Sequence, residues 1–117
     1  PINVAAGAKA ILAYCDADFV DLCIKKKFNR FTANTITSKK KYKEVLVEVR
    51  ETGIAYDAGE RFEDSHAIAT PIFNHEGIPV AAVVVAGPAF RMTQKFLSEI
   101  VTPIKKTAAE ISKRLFY

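Results

Sequence analysis

The stretch HAIATPIFNHEGIPVAAVVVAGP, from His66 to Pro88, decides the reading of the fold. His66 to Phe73 is rich in residues that favour extended backbone. Asn74-His75-Glu76-Gly77 has turn chemistry, and Ile78 to Ala86 is again strand-like before Gly87-Pro88 ends it. Two such runs around a short turn pair most simply as an antiparallel hairpin. Val83, Val84 and Val85 are consecutive, which predicts a second strand covered on both faces.

Upstream, Ile54 to Asp57 is a short apolar segment, and Ala58 to Asp64 is a polar loop holding Gly59. Before it, Tyr42, Val45, Leu46 and Val49 recur at i, i+3, i+4 and i+7, a helix that Ser38 caps and Gly53 stops. Phe28 to Thr37 is irregular. Asp16 or Asp18 caps a helix with Phe19, Leu22 and Cys23 on one face. Ala5 to Tyr14 is a helix of small residues whose one charge is Lys9. Downstream, Thr93 caps a long helix to about Leu115 with Phe96, Ile100, Ile104, Ala108, Ile111 and Leu115 along a stripe. Pro103 should kink it or restart it from Thr102. The order predicts an α+β sandwich, helices on an antiparallel sheet. Three strands make a thin sheet and the first helix starts almost at Pro1. A fragment lacking its first strands is therefore expected. It would bare sheet edge and apolar surface, with Phe90, Phe96, Phe116 and Tyr117 as candidates, and would self-associate.

A chain of 117 residues, 50% hydrophobic and 26% charged, has the size and composition of one folded domain. No run approaches the ~18 apolar residues of a membrane span. The start lacks the charged residues of a secretory signal, and two cysteines, Cys15 and Cys23, read as free thiols of a reducing compartment. The charge is unevenly spread. Lys25 to Lys43 holds eight bases and no acid, and the rest of the chain is net acidic. Such a run can touch nucleic acid, but more often it is a solvated rim.

No Walker loop, GxGxxG, HExxH, CxxC or GxSxG occurs. An enzyme would have to use Asp57, His66 and Cys15 as a nucleophile set, or His66 with Ser65. A metal would need Asp57, His66 and an acid of the Glu60 to Asp64 loop. Sequence supplies no geometry for either. A binding pocket suits the residue types better. The start of the small-residue helix at Ala6-Gly7 can present backbone N–H groups to a carboxylate, Asp57, Ser65 and His66 can add selectivity, and the hairpin can add apolar walls. Against this stands the plain alternative that Ala6 and Gly7 are small only for packing. His75 reads as a turn residue.

The motifs also have a familiar order. PINVAAGAKAILA (1–13) resembles the Gly/Ala helix of IclR-type transcriptional regulators. FTANTIT (31–37), VRETGIAYD (49–57), AIATPIF (67–73), AAVVVAGP (81–88) with Arg91-Met92-Thr93, and AAEISKRL (108–115) are similar to successive segments of that family, in unbroken order along the chain. The resemblance implies a GAF-like effector-binding domain over residues 1–117, the C-terminal part of a longer regulator, without the family's winged helix-turn-helix. It implies no catalytic residue, metal or other cofactor. The implied ligand site is Ala6, Gly7, Asp57, Ser65, His66, Ala67, Val84 and Ala86. The implied partners are a small-molecule effector, a carboxylic acid by class, and further copies in a dimer or tetramer. DNA would be met only through the absent domain, with no membrane contact, in the cytoplasm. Ala8 stands where the family has the glycine before its lysine. Ser65-His66-Ala67 departs from a glycine and cysteine junction. Val84 and Ala86 replace residues that are often serine, which favours a larger or partly aromatic acid. A GAF-like module of another signalling protein and a small thiol or hydrolytic enzyme are the alternatives.

Overall fold

The computed structural model describes residues 1–116; Tyr117 and the side chain of Phe116 lie outside the described residues, and with them half of the expected bare aromatic surface. Phe90 and Phe96 are both exposed, as expected. A 3-10 turn over Ile2–Val4 leads into α1 (Ala6–Leu12). Then follow α2 (Ala17–Cys23), α3 (Lys39–Thr52), β1 (Ala55–Ala58), β2 (Ser65–Phe73), β3 (Pro79–Pro88) and α4 (Gln94–Phe116). The strands form one antiparallel sheet in the order β1-β2-β3.

Local chemistry sets most boundaries. Asp16 caps α2 by accepting from Phe19 N at 2.8 Å. Ser38 caps α3 by accepting from Lys41 N at 3.2 Å, and Thr93 caps α4 through Phe96 N at 3.2 Å. Gly53 ends α3 at φ 77°, the left-handed conformation that favours glycine.

The sheet lies between two apolar layers. On one face, Ala6, Ala10 and Ala13 of the first helical segment pack with Tyr42, Leu46 and Val49 of α3 and with Ala55, Ala67 and Ala69 of the sheet. On the other, Ile68, Val83 and Val85 pack under Leu97, Ile100, Val101 and Ile104 of α4. This is the expected α+β layering.

Three expectations need correction. Phe19 and Leu22 do not face the core: they are exposed, and Val20 and Ile24 are buried instead. α2 is only two turns long, so a single row of its side chains reaches α3. β3 is not covered on both faces, because Val80 and Val84 are nearly half exposed. It is the last strand of the sheet, and among the described residues nothing pairs with its outer edge. α4 runs unbroken through Pro103 rather than restarting at Thr102. Pro103 is exposed, so the carbonyl deprived of its helical partner can be hydrated. The expected stripe of α4 holds at Ile100, Ile104 and Ala108, where Leu97 and Val101 join it, while its ends Phe96 and Leu115 are exposed.

Candidate functional site

Strand alternation sorts the expected site residues. Successive side chains of β2 point to opposite faces, so Ser65, Ala67 and Ala69 share the α1 face and His66, Ile68 and Thr70 the α4 face. The register places Asp57, Ala67 and Ala86 side by side in one cross-strand row. Ala55, Ala69 and Val84 form the next row. α1 lies over this floor. A Cβ added at Gly7 would stand 3.4 Å from Val84 Cγ2 and 3.8 Å from Ala82 Cβ, so helix and sheet are in close contact there. Ala6, Gly7, Asp57, Ser65, Ala67, Val84 and Ala86 are thus brought to one face. Its floor is built of alanines, and its outer margin is open at Val84 and Ala86.

His66 does not join them. One residue along from Ala67, it lines a cleft of about 410 Å³ with Tyr56, Ala58, Met92, Gln94 and Leu97, on the α4 side. That cleft wraps the end of β1 and so also touches Asp57 and Ala67. The expected convergence of His66 with Gly7 fails because a shift of one residue in a strand reverses the face.

Asp57 is held by its own turn: Oδ1 accepts from Glu60 N at 2.8 Å. Glu60 then enters the core. Its Oε1 receives Lys9 Nζ at 2.5 Å, and its Oε2 accepts from Ala58 N at 3.2 Å. Lys9 is only 1% exposed and also donates to Tyr56 O at 2.8 Å. Two buried hydroxyls finish the lock. Thr32 Oγ1 donates to Gly59 O and Thr35 Oγ1 to Glu60 O, each at 2.6 Å. Helix α1 and the Asp57 loop, the two sides of the candidate site, are therefore tied by one buried ion pair.

The sequence reading missed this pair, although a signal was present. Lys9 lies in step with Ala6, Ala10 and Ala13, at core-facing spacing, and a buried lysine needs an acid.

The nucleophile set is not assembled. Cys15 Sγ lies 3.4 Å from Ile11 O, in a cleft with Leu12, Ala13 and Val20 between α1, α2 and α3, whereas His66 faces α4. Burial raises the Cys15 pKa, with Cys23 and Asp16 adding to the effect, so the thiol stays protonated at neutral pH. Among the described residues no three His, Cys, Asp or Glu side chains gather as a metal site requires. A cavity of about 740 Å³ lies at the hairpin end and contains none of the expected residues. Its polar side chains serve the fold. Lys105 Nζ donates to Thr52 O at 2.6 Å, Thr70 Oγ1 to Gly53 O at 2.7 Å, and Ser112 Oγ to Phe73 O.

A family profile described as bacterial transcriptional regulator IclR C-terminal matches residues 1–113. This chain belongs to the IclR family. Its IclR relatives include the HTH-type transcriptional regulator KdgR of Escherichia coli (strain K12), 32% identical over all of this chain and 45% of that protein. Another is the HTH-type transcriptional regulator BhcR of Paracoccus denitrificans (strain Pd 1222), 34% identical over 89% of this chain and 38% of the relative. The chain thus spans less than half the length of these curated relatives. The crystal structure of the C-terminal domain of E. coli KdgR superposes with a TM-score of 0.93 at 32% identity, covering 100% of this chain and 72% of that one. The inducer-binding domain of PobR from Acinetobacter, a double mutant in complex with 3-hydroxybenzoic acid, superposes at 0.87 with 27% identity, over 96% of this chain and 65% of that one. The IclR assignment agrees with the expected family and layering. The matched relatives are transcriptional regulators, which gives the thiol-enzyme alternative no support.

Proposed function

We propose that this chain is the effector-binding part of an IclR-type regulator, acting in the cytoplasm. A small carboxylic acid binds on the α1 face of the sheet, among Ala6, Gly7, Asp57, Ser65, Ala67, Val84 and Ala86. The observation that carries the reading is that the cross-strand row Asp57, Ala67, Ala86 adjoins the row of Val84, over which Gly7 sits, on one face of the sheet. Methyl groups offer an apolar surface to a ligand body, and a single carboxylate at its edge selects for a hydroxyl or a protonated group. The relative whose domain holds 3-hydroxybenzoic acid has the same fold, and an acid with an aromatic body suits the apolar Val84 and Ala86. Effector would favour one arrangement of associated copies over another, and the DNA-binding part known from the relatives would respond. His66, on the other face, is left out of direct contact.

The test is a thermal-shift screen of small aliphatic and aromatic carboxylates, 3-hydroxybenzoate among them. A ligand at ~100 times its Kd adds roughly 2.7 kcal/mol of stability. The Gly7→Ala variant, which places a methyl beside Val84, should lose most of that shift while His66→Ala keeps it. The reverse pattern would move the site to the α4 cleft, and no shift with any acid would remove the reading.

No helix among the described residues is long and apolar enough to cross a membrane.

A further inference from the structure

Lys25, Lys26 and Lys27 follow α2, and Lys39, Lys40, Lys41 and Lys43 lie in the first turns of α3. The fold brings these two runs to one surface by three ties. Phe28 packs edge-on against Tyr42, with ring centroids 5.3 Å apart. Lys39 Nζ donates to Lys25 O at 2.8 Å. The same ammonium stands 5.7 Å from the Phe28 ring centre. Because Ile24, Phe28 and Tyr42 are buried, Lys25, Lys26, Lys27, Lys40, Lys41 and Lys43 are left exposed around them. Among the described residues one carboxylate forms an ion pair with this group, Asp21 at 2.5 Å from Lys43, and Glu44 shares the surface of Lys39, Lys40 and Lys43.

The arrangement works against helix stability. The first turn of α3 carries lysines and no acid, at the end where the peptide dipoles already leave positive charge. Like charges one turn apart also repel. The rest of the chain is net acidic. The fold therefore gathers six exposed lysines on one face, of which Lys43 alone is ion-paired among the described residues, and such a face complements a polyanion.

We propose that this lysine face is a sequence-blind contact for the phosphate backbone of duplex DNA. The proposal rests on the reading of the chain as part of a DNA-bound regulator, and it departs from the expectation that DNA is met only through another domain. A duplex carries one phosphate per ~1.7 Å of axis. Ammonium groups on flexible stems neutralise such charges without needing fixed geometry. Arg30, the basic residue of this segment that could read a base edge with its fork, is turned to its own loop. Nη1 donates to Thr32 O at 3.2 Å and Ala33 O at 3.1 Å, and Nη2 lies 3.4 Å from Thr37 Oγ1. Phosphate contact without base readout follows.

The experiment is fluorescence anisotropy of two labelled duplexes of unrelated sequence across a salt series, with the chain alone and no effector present. Both duplexes should bind alike. The log of affinity should fall with the log of salt at a slope of roughly −3 to −4, the value for about four phosphates. The triple variant Lys26→Gln, Lys40→Gln, Lys41→Gln should lose roughly tenfold or more at low salt and flatten the slope by roughly 0.9 per lysine in contact, with an unchanged circular dichroism spectrum. Absence of binding at low salt, a preference between the duplexes, or an unaltered triple variant would overturn the proposal. So would tighter binding of labelled polyglutamate than of DNA, which would make the face a dock for acidic protein. An empty effector screen would leave this outcome standing, so the two readings fail separately.

Discussion

At the scale of single residues, Lys9 decides more than any other position. Its ammonium and the Glu60 carboxylate are both nearly excluded from water, and each is tolerable only because the other is there. Lys9→Met leaves Glu60 buried without its counter-charge and should cost about 3–5 kcal/mol. That is a large part of the ~5–15 kcal/mol that holds a domain of this kind together. The double variant Lys9→Met, Glu60→Leu should recover most of this loss, because no charge is then stranded. About 1 kcal/mol should remain missing for the bond from Ala58 N. Urea unfolding of the three proteins checks the pattern. A double variant no more stable than Lys9→Met would show that the pair's hydrogen bonds, rather than its buried charge, carry the energy. Neither partner is conspicuous in sequence, since one looks like the solubilising charge of an alanine helix and the other like an ordinary loop acid.

At the scale of elements, capping residues and turn glycines were legible because their chemistry is local. Asp16, Ser38, Gly53 and Thr93 act within four residues of themselves, and each does what its type predicts. Faces were less legible. The α4 stripe loses both its ends, and α2 buries Val20 in place of Phe19 and Leu22, because which side of a helix is buried depends on what lies opposite. Pro103 gives the element-scale prediction. It sits inside α4, exposed, where proline withholds a hydrogen bond and crowds the preceding turn. Pro103→Ala should raise stability by roughly 1–3 kcal/mol, within the ~3 kcal/mol that separates the two residues in helix interiors. A lower melting temperature for this variant would mean that the proline's shape is required against the sheet or a neighbouring copy.

At the scale of the whole molecule, the outer edge of β3 and the half-exposed Ile78, Val80 and Val84 form a surface that a free domain would cover. The chain should associate to a dimer or larger at tens of micromolar. Val84→Lys should shift the equilibrium toward monomer, since a charge on an edge strand opposes pairing. Sedimentation equilibrium decides, and a clean monomer for the unaltered chain would contradict it. By itself the sequence determined the element order, the antiparallel hairpin, most helix and strand limits and the family. Each rests on periodicity or short-range chemistry, or on motifs in series along the chain. Only the tertiary structure decided which residues meet. Strand parity removed His66 from the group around Gly7, the sheet order left β3 bare, and the Phe28–Tyr42 contact joined two lysine runs that are separate in sequence. The physical reason is the same each time: a contact between distant segments depends on the register and rotation of both partners, and neither is encoded in the local pattern of one.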